Sequence, residues 1–201
     1  MTTYSAYGPI DIYGTFQDSS LVSFKLTDGF GNQRGKVGWR IYISYQCSSD
    51  SQLYMAFYDG TSTSTNRLTN IDTQYMSLYN NDVGSFNNNV NYVRLNYYQT
   101  GNGTNEGGFA VIDLHNAQLS YLDRDSTTDR RELARSIQGT FIHGHNYISD
   151  YQMTDVGSFN HESSANPYSS TYFSGGIGTI GFYMGAGTLS GTYQAIPSVS
   201  G

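Results

Sequence analysis

The chain has 201 residues, a formal net charge of −6 and only two lysines, Lys25 and Lys36, so it carries no basic stripe and nucleic acid is not an expected partner. A chain of this length buries about 70% of its unfolded surface, enough for one core and one domain. Charged residues are scarce at 13%, but 19 tyrosines and 10 phenylalanines set the chain apart from disordered sequences, which are poor in aromatics. No apolar run approaches the ~20 residues of a membrane helix, so no membrane insertion is expected. The start "MTTYSAYGPIDIYGTF" lacks a basic region and an apolar core, so it does not read as a secretory signal, and synthesis in a cytoplasm is expected. Cys47 is the only cysteine, which rules out an internal disulfide and leaves it as a small core hydrophobe.

In chain order, "PIDIYGTF" and "LVSFKL" are the first strand candidates. The clearest period of two follows in "VGWRIYISYQC", where Val37, Trp39, Ile41, Ile43, Tyr45 and Cys47 share one face. A Ser-rich turn, "SSDSQ", leads into "LYMAFYDG" with Leu53, Met55 and Phe57 in step, and the pair reads as an antiparallel hairpin. Further strands are expected in "QYMSLY", "NYVRLNYY", "FAVIDL", "SIQGTFIH", "SSTYF", "TIGFYM" and "GTYQAI". The polar stretches "DGTSTSTNRLTNIDT", "NNDVGSFNNNVN", "QTGNGTNEGG" and "DRDSTTDR" are rich in turn formers and read as loops. Only "TTDRRELARS" offers a helical turn. The predicted fold is therefore all-β: a single-domain antiparallel β-sandwich, jelly-roll-like. Its expected parts are N-terminal strands or an arm over 1–36, the core sandwich over 37–196 and a tail over 197–201. The predicted core is Trp39, Ile41, Ile43, Met55, Phe57, Ile180 and Phe182.

The segment "GGIGTIGFYMGAGTLSGTYQAI" places seven glycines in an apolar stretch. Ile180, Phe182 and Met184 alternate inward, Thr179, Gly181 and Tyr183 outward, "GAG" is a turn, Leu189 lies in the connection, and 192–196 return as a hairpin strand. Ile177 is out of step with Ile180, which implies a bulge near Gly178. Gly175, Gly176 and Gly178 suit either a Gly-rich entry loop or close packing against a neighbouring chain.

Chemistry-bearing patterns are few. His143 and His145 in "HGH" share one face of a strand, but His115 and His161 are distant and no Cys pair or His-Glu motif joins them. In "DRDSTTDRRE", Asp123, Asp125, Asp129 and Glu132 lack the calcium-loop pattern, because Thr127 and Thr128 stand where an acid and a Gly belong. No metal requirement, no cofactor and no catalytic residue are expected, and the chain is read as a non-enzyme. Tyr42, Tyr54, Tyr58, Tyr97, Tyr98 and Tyr183 are expected to point outward. Such tyrosines suit an interface or sugar stacking, or ordinary cross-strand pairing. The candidate interface residues are Tyr42, Tyr54, Tyr97, Tyr183 and Gly178.

"VGWRIYISYQCSSDSQLYMAFYDG" resembles a recurrent stretch of small tailed-bacteriophage virion proteins: an apolar strand, a Ser-rich turn, a second strand and a closing Phe-Asn-Gly, here Tyr58, Asp59 and Gly60. "GGFAVIDLHNAQ" is similar to their mid-chain strand, with Asn116 at the matching place. "GTIGFYMGAGTLSGTYQAI" is similar to their closing hairpin through Gly187, Leu189, Gly191 and Thr192. Their usual Leu-Tyr-Gly ending is replaced here by Ala195, Ile196 and Pro197. The resemblance spans roughly residues 37–196. It implies a virion β-sandwich in the tail, fibre or baseplate adsorption apparatus, working as a homo-oligomer, a trimer above all, docked on other virion proteins. Capsid decoration and carbohydrate binding, including a host-surface glycan, are the alternatives. The segments "NNDVGSFNNNVN" and "HESSANPYSS" are expected to be partner-contacting arms or surface loops.

Overall fold

Twelve strands make up the architecture of the computed structural model, which describes residues 12–26, 37–59, 67–68, 71–78, 82–115, 138–147, 151–161 and 177–199. They are β1 (Ile12–Ser19), β2 (Val22–Lys25), β3 (Val37–Cys47), β4 (Leu53–Asp59), β5 (Ile71–Ser77), β6 (Asp82–Val90), β7 (Val93–Arg94), β8 (Gly108–Leu114), β9 (Gln138–Tyr147), β10 (Tyr151–His161), β11 (Ile177–Met184) and β12 (Leu189–Val199). All pairings are antiparallel. The fold is all-β, as the alternation predicts.

The strands form two sheets, ordered β1-β12-β3-β8-β9-β10-β5-β6 and β2-β11-β4-β7. Setting aside the hairpins β5–β6 and β9–β10 leaves eight strands in two four-stranded sheets. Their order is first-last-third-sixth in one sheet and second-seventh-fourth-fifth in the other. That is the strand order of a jelly roll. The two hairpins are insertions that widen one sheet from four strands to eight.

The predicted core is correct. Trp39, Ile41, Ile43, Met55, Phe57, Ile180 and Phe182 are all 2% exposed or less. They face one another between the sheets, with β3 on one side and β4 and β11 on the other. Cys47 is buried among them, as expected. Burial pushes its thiol up to about 11, which removes its reactivity.

Two predicted hairpins are instead arches between sheets. β3 and β4 lie in different sheets, and so do β11 and β12. Alternation alone does not separate these cases. In an arch the apolar faces of both strands oppose each other across the sandwich, so both are buried. The two arches run side by side: the Ser48 N–H donates to the Thr188 carbonyl at 3.0 Å and the Gly185 N–H to the Gln52 carbonyl at 3.0 Å. Ser48 and Ser51 hydroxyls accept the Thr188 and Ala186 N–H groups at 2.8 Å each. The Ser-rich turn thus satisfies the backbone of the Gly-rich one. Gly187 takes a left-handed φ of 79° there, as a turn requires.

Other expectations change as well. The "NNDVGSFNNNVN" stretch contributes β6, which closes one edge of the large sheet, rather than a loop. Only Val93–Arg94 of "NYVRLNYY" is a strand, and β10 was not foreseen. Within 1–36, β1 and β2 each complete a sheet, and β12 continues past 196 to Val199. Leu189 is fully buried at the start of β12, and Thr179, Gly181 and Tyr58 keep the outer face of the small sheet but are covered there. The Gly178 bulge is present as a register shift between Ile177 and Thr179. The segments holding Gly175, Gly176, "DRDSTTDRRE", "TTDRRELARS", "SSTYF" and "HESSANPYSS" beyond His161 lie outside the described residues.

Inward glycines follow a pattern of their own. Gly14, Gly108, Gly139 and Gly157 stand directly opposite Tyr193, Tyr45, Phe159 and Phe141 on neighbouring strands. A Cβ at each would lie 2.3–2.7 Å from the facing ring. The partner's aromatic ring folds over the glycine and fills its place. At Gly14 and Gly108 the nearest atoms are those of the ring; at Gly139 and Gly157 a backbone carbonyl, of Asp113 and of Gln74, comes within 2.6 Å as well.

Candidate functional site

Two parallel rows of residues cross the inserted part of the large sheet, one on each face. The inner row runs Ile43, Ala110, His143, Asp155 and Ser77, over β3, β8, β9, β10 and β5. The next inner row holds Tyr45, Gly108, His145 and Met153. His143 and His145 therefore do share a face, as the spacing predicts, and that face points into the protein. Asp155 joins them because the β9–β10 hairpin pairs it with His143.

The cluster is fully enclosed. His143 and Asp155 are 0% exposed and His145 is 4% exposed. The imidazoles stack with centroids 4.9 Å apart, and the Tyr45 ring stacks on His143 at 5.8 Å. Tyr45 reaches His143 by crossing over Gly108, where a Cβ would stand 2.6 Å from its ring. The Tyr45 hydroxyl lies 2.9 Å from His143 Nε2 and 2.7 Å from Thr100 Oγ1. Asn96 Nδ2 donates to Thr100 Oγ1 at 3.1 Å, while its Oδ1 accepts the Leu53 N–H at 2.8 Å, which sets the orientation of the amide. The loop after β7 thus lies over the cluster, and its Tyr97 N–H donates to Asp155 Oδ2 at 3.3 Å. Arg94 holds the loop by donating to the carbonyls of Asn96 and Tyr97.

The polar atoms inside this enclosure are not all satisfied. Among the described residues, His143 Nδ1, both His145 nitrogens and Asp155 Oδ1 have no hydrogen-bond partner. His145 Nδ1 and Asp155 Oδ2 are 3.6 Å apart, too far for a hydrogen bond. Burial holds His143 well below the ordinary histidine value and brings His145 down to about 4, so both rings are neutral near pH 7. Burial raises Asp155 to about 6, against the pull of the Tyr97 N–H, the Ser77 side chain and the Arg94 charge. One donor atom from each of His143, His145 and Asp155 lies within 4.8 Å of the others. The structure thus brings a third potential ligand, Asp155, beside the two histidines. Asp155 is the residue that sequence reasoning missed. Recognising a hairpin centred on Ile148–Asp150 would have paired 145 with 153 and 143 with 155.

The outer row is the reverse in character. Tyr42, Val111, Ile142, Val156 and Met76 stand opposite one another in register across five strands. Ile142 is 56% exposed, Met76 36%, and Phe109, stacked on Tyr42 at 6.3 Å, 46%. A polar row borders it: Arg40, Asp113, Thr140, Ser158 and Gln74. Arg40 and Asp113 pair there through Nε–Oδ1 at 2.6 Å and Nη2–Oδ2 at 2.9 Å.

The remaining candidate interface residues are dispersed. Tyr54 and Tyr183 face each other on the outer side of the small sheet, stacked at 5.3 Å. Arg67 covers Tyr183 at 4.8 Å and donates to its hydroxyl. Tyr97 is partly buried beside Tyr75 and packs on the core. Gly178 forms the bulge on β11. Only Tyr42 belongs to the exposed apolar row. His115 is exposed after β8, away from the cluster. No family model matches the chain, and no curated protein matches it.

Proposed function

We propose that the chain is a structural, non-catalytic component of a bacteriophage virion, in the tail, fibre or baseplate adsorption apparatus. It assembles there as a homo-oligomer, a trimer by analogy with the proteins it resembles, and docks on other virion proteins. The observation that carries this reading is the exposed apolar row Tyr42–Val111–Ile142–Val156–Met76. An antiparallel sheet with one wet face ordinarily presents polar residues outward. A contiguous apolar stripe rimmed by polar residues marks a contact surface. The occupant is another copy of this chain, with the stripes of the copies converging on the symmetry axis of the oligomer. The jelly-roll topology is compatible with this role by analogy alone, since that fold serves viral, lectin and enzyme domains alike.

A second reading is favoured by the Tyr42–Phe109 pair, a half-buried ring stacked with an exposed one, which suits a sugar face: a carbohydrate-binding surface for a host glycan. A glycan array separates the two, because ligand capture abolished by Tyr42→Ala supports the second. For the first, light scattering on the purified chain is expected to show an oligomer that Ile142→Arg converts to a monomer of unchanged melting temperature. Cryo-EM of the particle then locates the protein. Like-chain contacts through this face on the tail support the proposal. The same contacts on the capsid shell support decoration instead. Isolated single copies with the face in solvent overturn both.

A further inference from the structure

We propose that His143, His145 and Asp155 form a buried divalent-metal site of the zinc class, which fastens the inserted β9–β10 hairpin beneath the loop that follows β7. The argument starts from cost. Each buried polar atom left without a partner is destabilising, and four such atoms converge here in one enclosure. A cation held by two imidazole nitrogens and one carboxylate oxygen satisfies three of the four at once. Nitrogen and oxygen donors of this kind suit zinc and its borderline neighbours rather than calcium or magnesium.

The protonation and support are also of the right kind. Neutral imidazoles offer lone pairs, and His143 has Nε2 held by the Tyr45 hydroxyl, leaving Nδ1 for the metal. The Tyr45–Thr100–Asn96 chain is the outer hydrogen-bonded support that orients a ligating histidine. Donors around a tetrahedral zinc stand about 3.4 Å apart. From a spread within 4.8 Å, small side-chain rotations bring the three together.

The test uses the full chain, expressed without a histidine tag and stripped with a chelator. Zinc chloride is titrated in competition with a chromophoric chelator, and cobalt chloride is added to read visible d–d bands. One equivalent per chain is expected, with tetrahedral-type cobalt bands. The melting temperature should rise by about 5–10 °C when free zinc exceeds its Kd a hundredfold. Asp155→Asn and His145→Gln should each lose the bands and the shift, while His115→Gln/His161→Gln keeps both. If Asp155→Asn does not fold, His145→Gln and the wild-type titration still decide. A folded wild type with no cobalt bands and no melting shift overturns the proposal. So does binding that survives both ligand substitutions, or that vanishes with His115 and His161.

Discussion

The jelly-roll half of the molecule and its inserted hairpins differ in how strictly they separate an apolar inside from a polar outside. On β3, β4 and β11 the inward residues are Trp39, Ile41, Ile43, Met55, Phe57, Ile180 and Phe182, while outward neighbours such as Arg40 and Ser44 are exposed. On β9, β10 and β5 apolar residues also face in, Phe141, Met153, Phe159, Ile71 and Tyr75, but His143, His145, Asp155, Thr73 and Ser77 are buried among them, and Ile142, Val156 and Met76 stand in one outward row. A sheet's register normally holds because a one-residue slip would expose the apolar set. In the insertion that apolar set is interrupted by polar residues, and the ladder to β8 and the rings closing over Gly139 and Gly157 add to the hold. The buried polar cluster and the outer apolar row are the two features that depart from the ordinary pattern, and each carries one of the proposals above.

The comparison can be broken first at its stable end. Phe182→Ala removes a ring that is 0% exposed and is expected to cost about 3–5 kcal/mol, read as a lower urea midpoint. An unchanged midpoint would mean that β11 does not hold the core. A smaller effect sharpens the role of the aromatic-over-glycine pairs. A Cβ at Gly157 would meet the Phe141 ring at 2.4 Å and the Gln74 carbonyl at 2.5 Å, and backbone cannot yield as a side chain does. Gly157→Ala should cost about 1–3 kcal/mol by overpacking. A neutral result would show that the ring moves aside freely.

The smallest effect concerns the polar border of the outer row. The Arg40 hydrogen bond holds the Asp113 carboxyl below its ordinary value of 3.8. A lowered carboxyl contributes stability above the unfolded value and loses it as pH falls through the folded one. Asp113→Asn should therefore melt slightly below the wild type at pH 7, with the gap closing as the pH falls through the lowered carboxyl value. The pair is solvent-exposed, so the gap stays small. A gap that widens on acidification would remove the pair from the account.

How much of this was legible follows the same division. β3 and β4 were readable because inward apolar residues repeat at every second position. β10 was not, because its inward positions are Met153, Asp155, Gly157 and Phe159, while Val156 faces out. β6, with its run of asparagines, has the composition of a loop and is a strand only because β5 offers it a free edge. Of the buried cluster, the shared face of His143 and His145 was visible from their spacing. Asp155 was invisible without the hairpin that pairs it with His143.

The sequence by itself determined the all-β class, the seven core positions and the Gly178 bulge, because each depends on local alternation and on side chains that prefer to leave water. Tertiary structure alone decided that the two apparent hairpins are arches, since strands of identical pattern pair either within a sheet or across a sandwich. It alone also put His143 and Asp155 inside with Ile142 and Val156 outside, the one row of the inserted strands where local hydrophobicity points the wrong way. There the long-range ladder from β8 through β9 and β10 to β5 prevails, because it satisfies the backbone groups of four strands together.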